Sequence, residues 1–134
     1  MNKRILFSIM MMLVAAVSFA QSGAIMKLDK NTHDFGDFSE DSPKVTCEFT
    51  FTNTGDAPLV IFQAVTSCGC TVPQYPTEPI LPGKKGTIKV VYDGTGKLPG
   101  KFKKSITLRT NSKPEMVRLF ITGNMEMSAK KAQS

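Results

Sequence analysis

The sequence contains no tryptophan and one histidine, and these scarcities exclude several familiar arrangements. Without tryptophan, and without a cysteine near the C-terminal end, the pin of two cysteines and a tryptophan that stabilises antibody-type domains cannot form. A catalytic triad would have to use His33, and no Gly-x-Ser-x-Gly elbow is present. His33 and Asp34 are neighbours in an extended segment, so their side chains point to opposite faces. The sequence therefore favours a non-enzymatic protein.

Long apolar runs are also missing. Residues 5–17 form an apolar run of about 13 residues, whereas roughly 20 are needed to span a bilayer. Lys3 and Arg4 precede this run and small residues follow it, which is typical of a secretory signal cut before Gln21. No cysteine follows the cut, which excludes the lipid-modified form of export. We expect residues 1–20 to be a signal peptide, no transmembrane segment after its removal, and a periplasmic or secreted protein.

Charge is modest, since 17 Lys and Arg stand against 11 Asp and Glu, for a formal net charge of +6. The lysines at residues 97–104 would suit an anionic surface or glycan, but a solvated hairpin also uses lysine to stay soluble. Aromatic residues do not alternate with these lysines, so no nucleic-acid binding is expected. The acidic residues lack the spacing of a calcium loop and predict a solvated edge: Asp29, Asp34, Asp37, Glu40 and Asp41.

Short strand patterns fill the rest of the chain. Residues 45–52 alternate without a break, which places Val45, Cys47, Phe49 and Phe51 on one buried face. Turn formers at residues 53–58 reverse the chain into a second, more apolar strand at residues 59–65. Further strands are predicted at residues 87–92, 105–110 and 117–121, with one or two edge strands within residues 25–38. About seven short strands predict an antiparallel β-sandwich over residues 21–124 and a flexible tail over residues 125–134.

The three cysteines are the main chemical feature, because Cys68 and Cys70 are separated only by Gly69. One interpretation is a structural disulfide from Cys47 to Cys68 or Cys70, which predicts Cα atoms within about 7 Å. A direct Cys68–Cys70 bond is less favoured, since extended residues would put the Cα atoms about 6.6 Å apart and close a small ring. The other interpretations are buried reduced thiols, a redox pair, and a copper or zinc site built from all three thiolates.

Four stretches carry a family resemblance: residues 35–37 (Phe-Gly-Asp), 49–61, 67–73 (Ser-Cys-Gly-Cys-Thr-Val-Pro) and 81–83 (Leu-Pro-Gly). Together they resemble the bacterial domain-of-unknown-function family fifteen-seventy-three. The Asn-Thr-Gly and Pro-Gly turns alone are also similar to the wider ASPM–SPD-2–Hydin group of domains. The resemblance covers about residues 28–123. It implies an immunoglobulin-like sandwich, an envelope location and no established activity.

These observations predict an exported, non-enzymatic, immunoglobulin-like binding or scaffolding module. Its expected partner is a protein or glycan of the cell envelope, and no cofactor is expected. The alternative is a thiol-redox or soft-metal protein, handling copper or zinc through the Cys-Gly-Cys motif. In that case Cys47, Cys68 and Cys70 are the candidate ligands.

Overall fold

The computed structural model describes residues 23–132. The predicted signal peptide at residues 1–20 and its cleavage site lie outside this described part. The strands are β1 (Met26–Leu28), β2 (Thr32–Ser39), β3 (Lys44–Asn53), β4 (Ile61–Thr66), β5 (Thr71–Gln74), β6 (Lys85–Asp93), β7 (Gly100–Thr110) and β8 (Met116–Glu126), and a helical turn, α1 (Ala129–Ala132), follows them. Within the described residues, no helix is long and apolar enough to cross a membrane.

The strands form two four-stranded sheets packed face to face. The first sheet has the order β1-β3-β6-β5, and the second sheet has the order β2-β8-β7-β4. This arrangement confirms the predicted all-β sandwich, with eight strands rather than about seven. The strand that was not predicted is β5, a four-residue edge strand that contains Pro73. The N-terminal segment supplies two edge strands, β1 in the first sheet and β2 in the second. Strand β2 pairs with β8 in parallel, and the other strand pairs are antiparallel.

The core lies between the two sheets and follows the predicted alternation of β3. Cys47, Phe49 and Phe51 are buried, and the first two lie opposite the buried Val90 and Ile88 of β6. The second sheet covers these residues with fully buried aliphatic side chains of its two central strands: Ile106, Leu108, Leu119 and Ile121. Burial of these large apolar side chains is the main source of stability.

The turn after β3 is fixed by the buried side chain of Asn53. Its Nδ2 donates to the backbone oxygens of Ala57 and Ile80, both at 2.8 Å. Its Oδ1 accepts from the backbone N–H of Gly55 at 3.0 Å and of Ile25 at 3.3 Å. Because one amide satisfies four backbone groups, the Asn-Thr-Gly sequence sets where β3 ends and how β1 and the Ile80 segment join it.

Two segments differ from the sequence-based expectations. Residues 59–65 were predicted to form a second, more apolar strand, but β4 begins at Ile61 and lies at a sheet edge, and Phe62 and Val65 are 63% and 48% exposed. Strand β8 continues to Glu126, two residues past the predicted boundary at residue 124, and Met125 is buried. A bulge at residues 61–63 places both Phe62 and Gln63 on the outer side of β4.

Candidate functional site

The Cys-Gly-Cys segment forms a turn that carries the chain from β4 in the second sheet to β5 in the first. Cys68 and Cys70 form a disulfide, with their Cα atoms 5.1 Å apart. The N–H of Thr71 donates to the oxygen of Cys68 at 3.1 Å and closes the turn. The oxygen of Cys70 accepts from the N–H of Asp93 in β6 at 2.8 Å. The turn is therefore tied to the first sheet at its C-terminal end.

The predicted pairing of Cys47 with Cys68 or Cys70 is not the one in the structure, where Cys47 is a free, buried thiol. The prediction assumed an extended Cys-Gly-Cys segment, but a turn brings the Cα atoms of Cys68 and Cys70 closer than extended chain would. Cys47 and Pro73 lie on either side of Val90, so β6 separates the two strands. The Cα atoms of Cys47 and Pro73 are separated by two strand spacings of about 4.8 Å, and Cys70 lies three residues of about 3.4 Å each along the chain from Pro73. These two perpendicular lengths place the Cα atoms of Cys47 and Cys70 about 14 Å apart.

Cys47 lies in an apolar setting that keeps its thiol protonated. Loss of solvation raises the pKa of Cys47 to about 11, with Glu48 raising and Lys30 lowering it to smaller extents. A thiol of this kind packs as a small apolar side chain and reacts slowly near neutral pH. The three sulfurs proposed to share a copper or zinc ion are not brought together. The residues with described side chains contain no group of three or more His, Cys, Asp or Glu arranged to hold a metal.

The cysteine arrangement predicts a definite alkylation pattern. We expect no adduct when folded protein meets iodoacetamide near pH 7, because Cys47 is buried and the other two sulfurs are bonded. One adduct is expected after denaturation without reductant, and three after denaturation with reductant. Intact mass measures all three states. Three adducts on the folded, unreduced protein would contradict the disulfide and favour the thiol alternative.

His33 and the acidic residues hold local structure. Lys30 Nζ donates to His33 Nδ1 at 2.7 Å, and the His33 ring meets Phe35 edge-on, with centroids 4.9 Å apart. Loss of solvation and the nearby Lys30 lower the pKa of His33, against a smaller effect of Asp34, which favours the neutral form of the ring. Asp34 accepts from the N–H of Gly36 at 2.9 Å, and Asp37 accepts from Asn124 Nδ2 at 2.9 Å.

The outer face of the second sheet combines basic and apolar side chains near β4. Arg109 of β7 lies between Gln63 of β4 and Met116 of β8, and the strand register places Thr107 between Val65 and Arg118. We call this surface the basic face, and it consists of Phe62, Gln63, Val65, Lys101, Lys103, Ser105, Thr107, Arg109, Met116, Arg118 and Phe120. Its Lys103 Nζ lies 4.8 Å from the ring centroid of Phe120. Strands β4 and β7 contain no acidic residue.

A groove of about 290 Å³ lies at the β4 end of the basic face. It is lined by Phe62, Arg109, Thr110, Asn111, Glu115 and Met116. Asn111 fixes this end, because its Oδ1 accepts from the N–H of Val60 at 2.8 Å and its Nδ2 donates to the oxygen of Pro58 at 3.0 Å. Phe62 and Met116 are both more than half exposed, so the groove offers apolar surface beside a guanidinium group.

The basic face was not predicted from the sequence. The apolar composition of residues 59–65 suggested burial, and the cations looked scattered because they are distant along the chain. Two signals were present: Gln63 interrupts the apolar run, and Lys101, Lys103 and Arg109 occupy alternate positions of one strand. Only the pairing of β4, β7 and β8 brings these residues together.

The two-sheet architecture defines an immunoglobulin-like β-sandwich, as the sequence resemblance implied. The chain belongs to the family described as a protein of unknown function (DUF1573), whose sequence pattern matches residues 26–125. None of the curated proteins matches the chain.

Solved structures share the fold at low sequence identity. A protein of unknown function from Porphyromonas gingivalis W83 is 17% identical, with a TM-score of 0.67 over 79% of this chain and 49% of its own, so the present chain spans about half of it. The ASH/PapD-like domain 7 of human CEP192 is 6% identical, with a TM-score of 0.61 over 77% of this chain and 86% of its own. The periplasmic chaperone SfaE is 14% identical, with a TM-score of 0.54 over 75% of this chain and 57% of its own.

Proposed function

We propose that this protein is an exported, non-enzymatic module that binds another protein of the bacterial cell envelope through the basic face. The observation that carries the proposal is the exposure of Phe62, Val65 and Met116 beside Arg109 on one sheet surface. Exposed apolar groups bordered by polar ones are typical of protein-binding sites. Arginine and aromatic residues are enriched in such interfaces.

The other described chemistry supports binding rather than catalysis. Burial raises the pKa of Cys47, and loss of solvation, together with the nearby Lys30, lowers the pKa of His33, whose Nδ1 accepts from Lys30 rather than bonding to a carboxylate. The chain also shares its fold with the periplasmic chaperone SfaE, and a chaperone acts on other proteins. A protein partner is favoured over a glycan because the apolar side chains of the groove have no role in a purely electrostatic contact with an anionic glycan.

Site-specific photocrosslinking tests the proposal. A photoreactive phenylalanine analogue at position 62 is expected to form adducts with a protein in living cells of the native host. The matched control carries the analogue at Thr87, which is exposed on the outer face of the first sheet. Adducts from position 62 that are absent from position 87 support the proposal. Absence of protein adducts from both positions, or equal adducts from both, would contradict it.

Export has a separate test, since it depends on residues outside the described part. We expect the mature protein to begin at Gln21, because small residues at positions 18 and 20 follow the apolar run. N-terminal sequencing of protein from the periplasmic fraction measures this. A membrane-bound form that retains Met1 would show that the segment is an anchor rather than a signal.

A further inference from the structure

The edge strand β4 leaves backbone hydrogen-bonding groups free on the side away from β7. Ser67 N–H donates to the oxygen of Ser105 at 3.1 Å, which sets the alternation of bonded and non-bonded pairs along β4. Residues of non-bonded antiparallel pairs point their N–H and C=O groups away from the partner strand. By this alternation, Ala64 and Thr66 direct their backbone groups outward from the sheet edge. These are the groups that an added strand would bond.

The other sheet edges of the described chain are protected against strand addition, whereas β4 is not. Strand β1 has three residues, and β5 has four and contains Pro73, which has no N–H to donate. Strand β2 carries a register irregularity between Asp34 and Asp37, and Gly36 there has a φ of 70°. Bulges, proline and charges are the usual means of blocking an edge. Strand β4 has six residues without charge or proline, and its bulge lies at its start.

Charge decides what chemistry the occupant of this edge has. Arg109 lies in the part of β7 that pairs with β4, and Arg118 lies on the next strand, whereas Lys101 and Lys103 lie on the same outward side beyond the end of β4. Glu115 also lines the groove beside Arg109. A second copy of this chain paired along β4 would add a second set of the same cations to this surface, which opposes self-association. An acidic segment would complement them. Because successive side chains of a strand alternate between faces, acidic residues at every second position of the segment would all lie on the basic face, and the apolar residues between them would lie on the inner side beside Ala64 and Thr66.

We propose that the free edge of β4 binds an extended, acidic segment of a partner protein, which joins the second sheet as a fifth strand. This inference rests on the proposed function and specifies the partner's chemistry and the geometry of the contact. Backbone hydrogen bonds to Ala64 and Thr66 align the added strand along β4, and acidic side chains of that strand lie toward Arg109.

The test uses an eight-residue peptide of alternating valine and glutamate, with alternating valine and lysine as the charge-reversed control. NMR of the mature chain follows amide shifts and hydrogen exchange during titration. We expect the acidic peptide to slow exchange of the Ala64 and Thr66 amides by about tenfold or more at saturation. The lysine peptide should leave them unchanged. Affinity should fall as ionic strength rises from about 0.02 M to about 0.2 M.

Two kinds of variant separate strand addition from general charge attraction. Ala64→Pro removes an outward N–H without removing a bond to β7, so it should abolish amide protection while the protein stays folded. Arg109→Glu should weaken peptide binding by about tenfold or more, and Arg109→Lys by much less. Arg109 is exposed. The charge reversal therefore remains informative even if Ala64→Pro unfolds the chain.

Each contrary outcome has a defined meaning. Equal binding of both peptides, or binding of the acidic peptide or of heparin without protection of Ala64 and Thr66, would overturn strand addition. Formation of a dimer through β4 in sedimentation experiments would also overturn it. If strand addition fails while photocrosslinks still form at position 62, the proposed function stands with a different contact geometry. If those crosslinks are absent as well, the proposed function fails too.

Discussion

Leu108→Asp is expected to leave the domain unfolded at room temperature. Leu108 is fully buried near the C-terminal end of β7, opposite Ala64 of β4 and Val117 of β8. Truncation of a buried leucine costs about 2–5 kcal/mol. Burial of an unpaired carboxylate adds a further penalty. The total cost approaches the free energy of unfolding of natural domains, which is about 5–15 kcal/mol. Circular dichroism and one-dimensional NMR would measure the loss of fold.

The matched control is Thr107→Asp, one residue earlier on the same strand. Thr107 faces outward, opposite Arg118, so a carboxylate there stays hydrated beside a cation. Its free energy of unfolding should change by less than about 1 kcal/mol. Similar losses of stability in the two variants would mean that the inward face of β7 has been assigned wrongly.

Gly86→Ala is expected to destabilise the protein by about 1–3 kcal/mol, although alanine is favoured over glycine by about 0.5–1 kcal/mol where space allows. Gly86 lies opposite Phe51, and a Cβ at position 86 would come within 2.8 Å of Phe51 Cε1. Phe51 is fully buried and cannot move away without displacing the core. The bare glycine therefore provides the space in which the phenylalanine ring packs. Thermal or urea unfolding measures the effect.

A double-mutant cycle identifies the cause. Phe51→Leu shortens the side chain that occupies this space, so Gly86→Ala should cost less in that background, with a coupling energy of about 1 kcal/mol or more. Gly69→Ala is the control, because an added Cβ there would meet no atom within 4 Å. Strict additivity of the two core substitutions would show that the ring does not depend on Gly86.

The fold could be predicted because its determinants are local. The alternation at residues 45–52 places Cys47, Phe49 and Phe51 inside, and Asn53 with its turn ends the strand. These features depend on the two-residue period of strands and on turn chemistry, both of which are read from neighbouring residues. Strand β5 was less accessible, because its four residues are too few for a clear alternation and include Pro73, which disfavours a strand.

The cysteine pairing and the basic face depend on distant parts of the chain, and here the sequence misled. Cys47 was expected near Cys68 or Cys70 because Cys47 and the Cys-Gly-Cys segment are separated by similar numbers of residues from the turn at residues 53–58. The intervening β6 and the placement of β4 and β5 in different sheets separate them. Likewise, Phe62 and Arg109 are far apart in sequence and become neighbours only through the pairing of β4 with β7. Strand order is a property of the whole sandwich rather than of any one segment.

The binding role of the basic face is tested most directly by hydrogen exchange. Exchange is measured on the protein recovered with its crosslinked partner from native cells and on the purified chain alone. We expect added protection to be concentrated on the β4 edge, at the amides of Ala64 and Thr66, with little change across the outer face of the first sheet. Protection confined to the first sheet, or identical exchange in the bound and free protein, would contradict a binding role for the basic face.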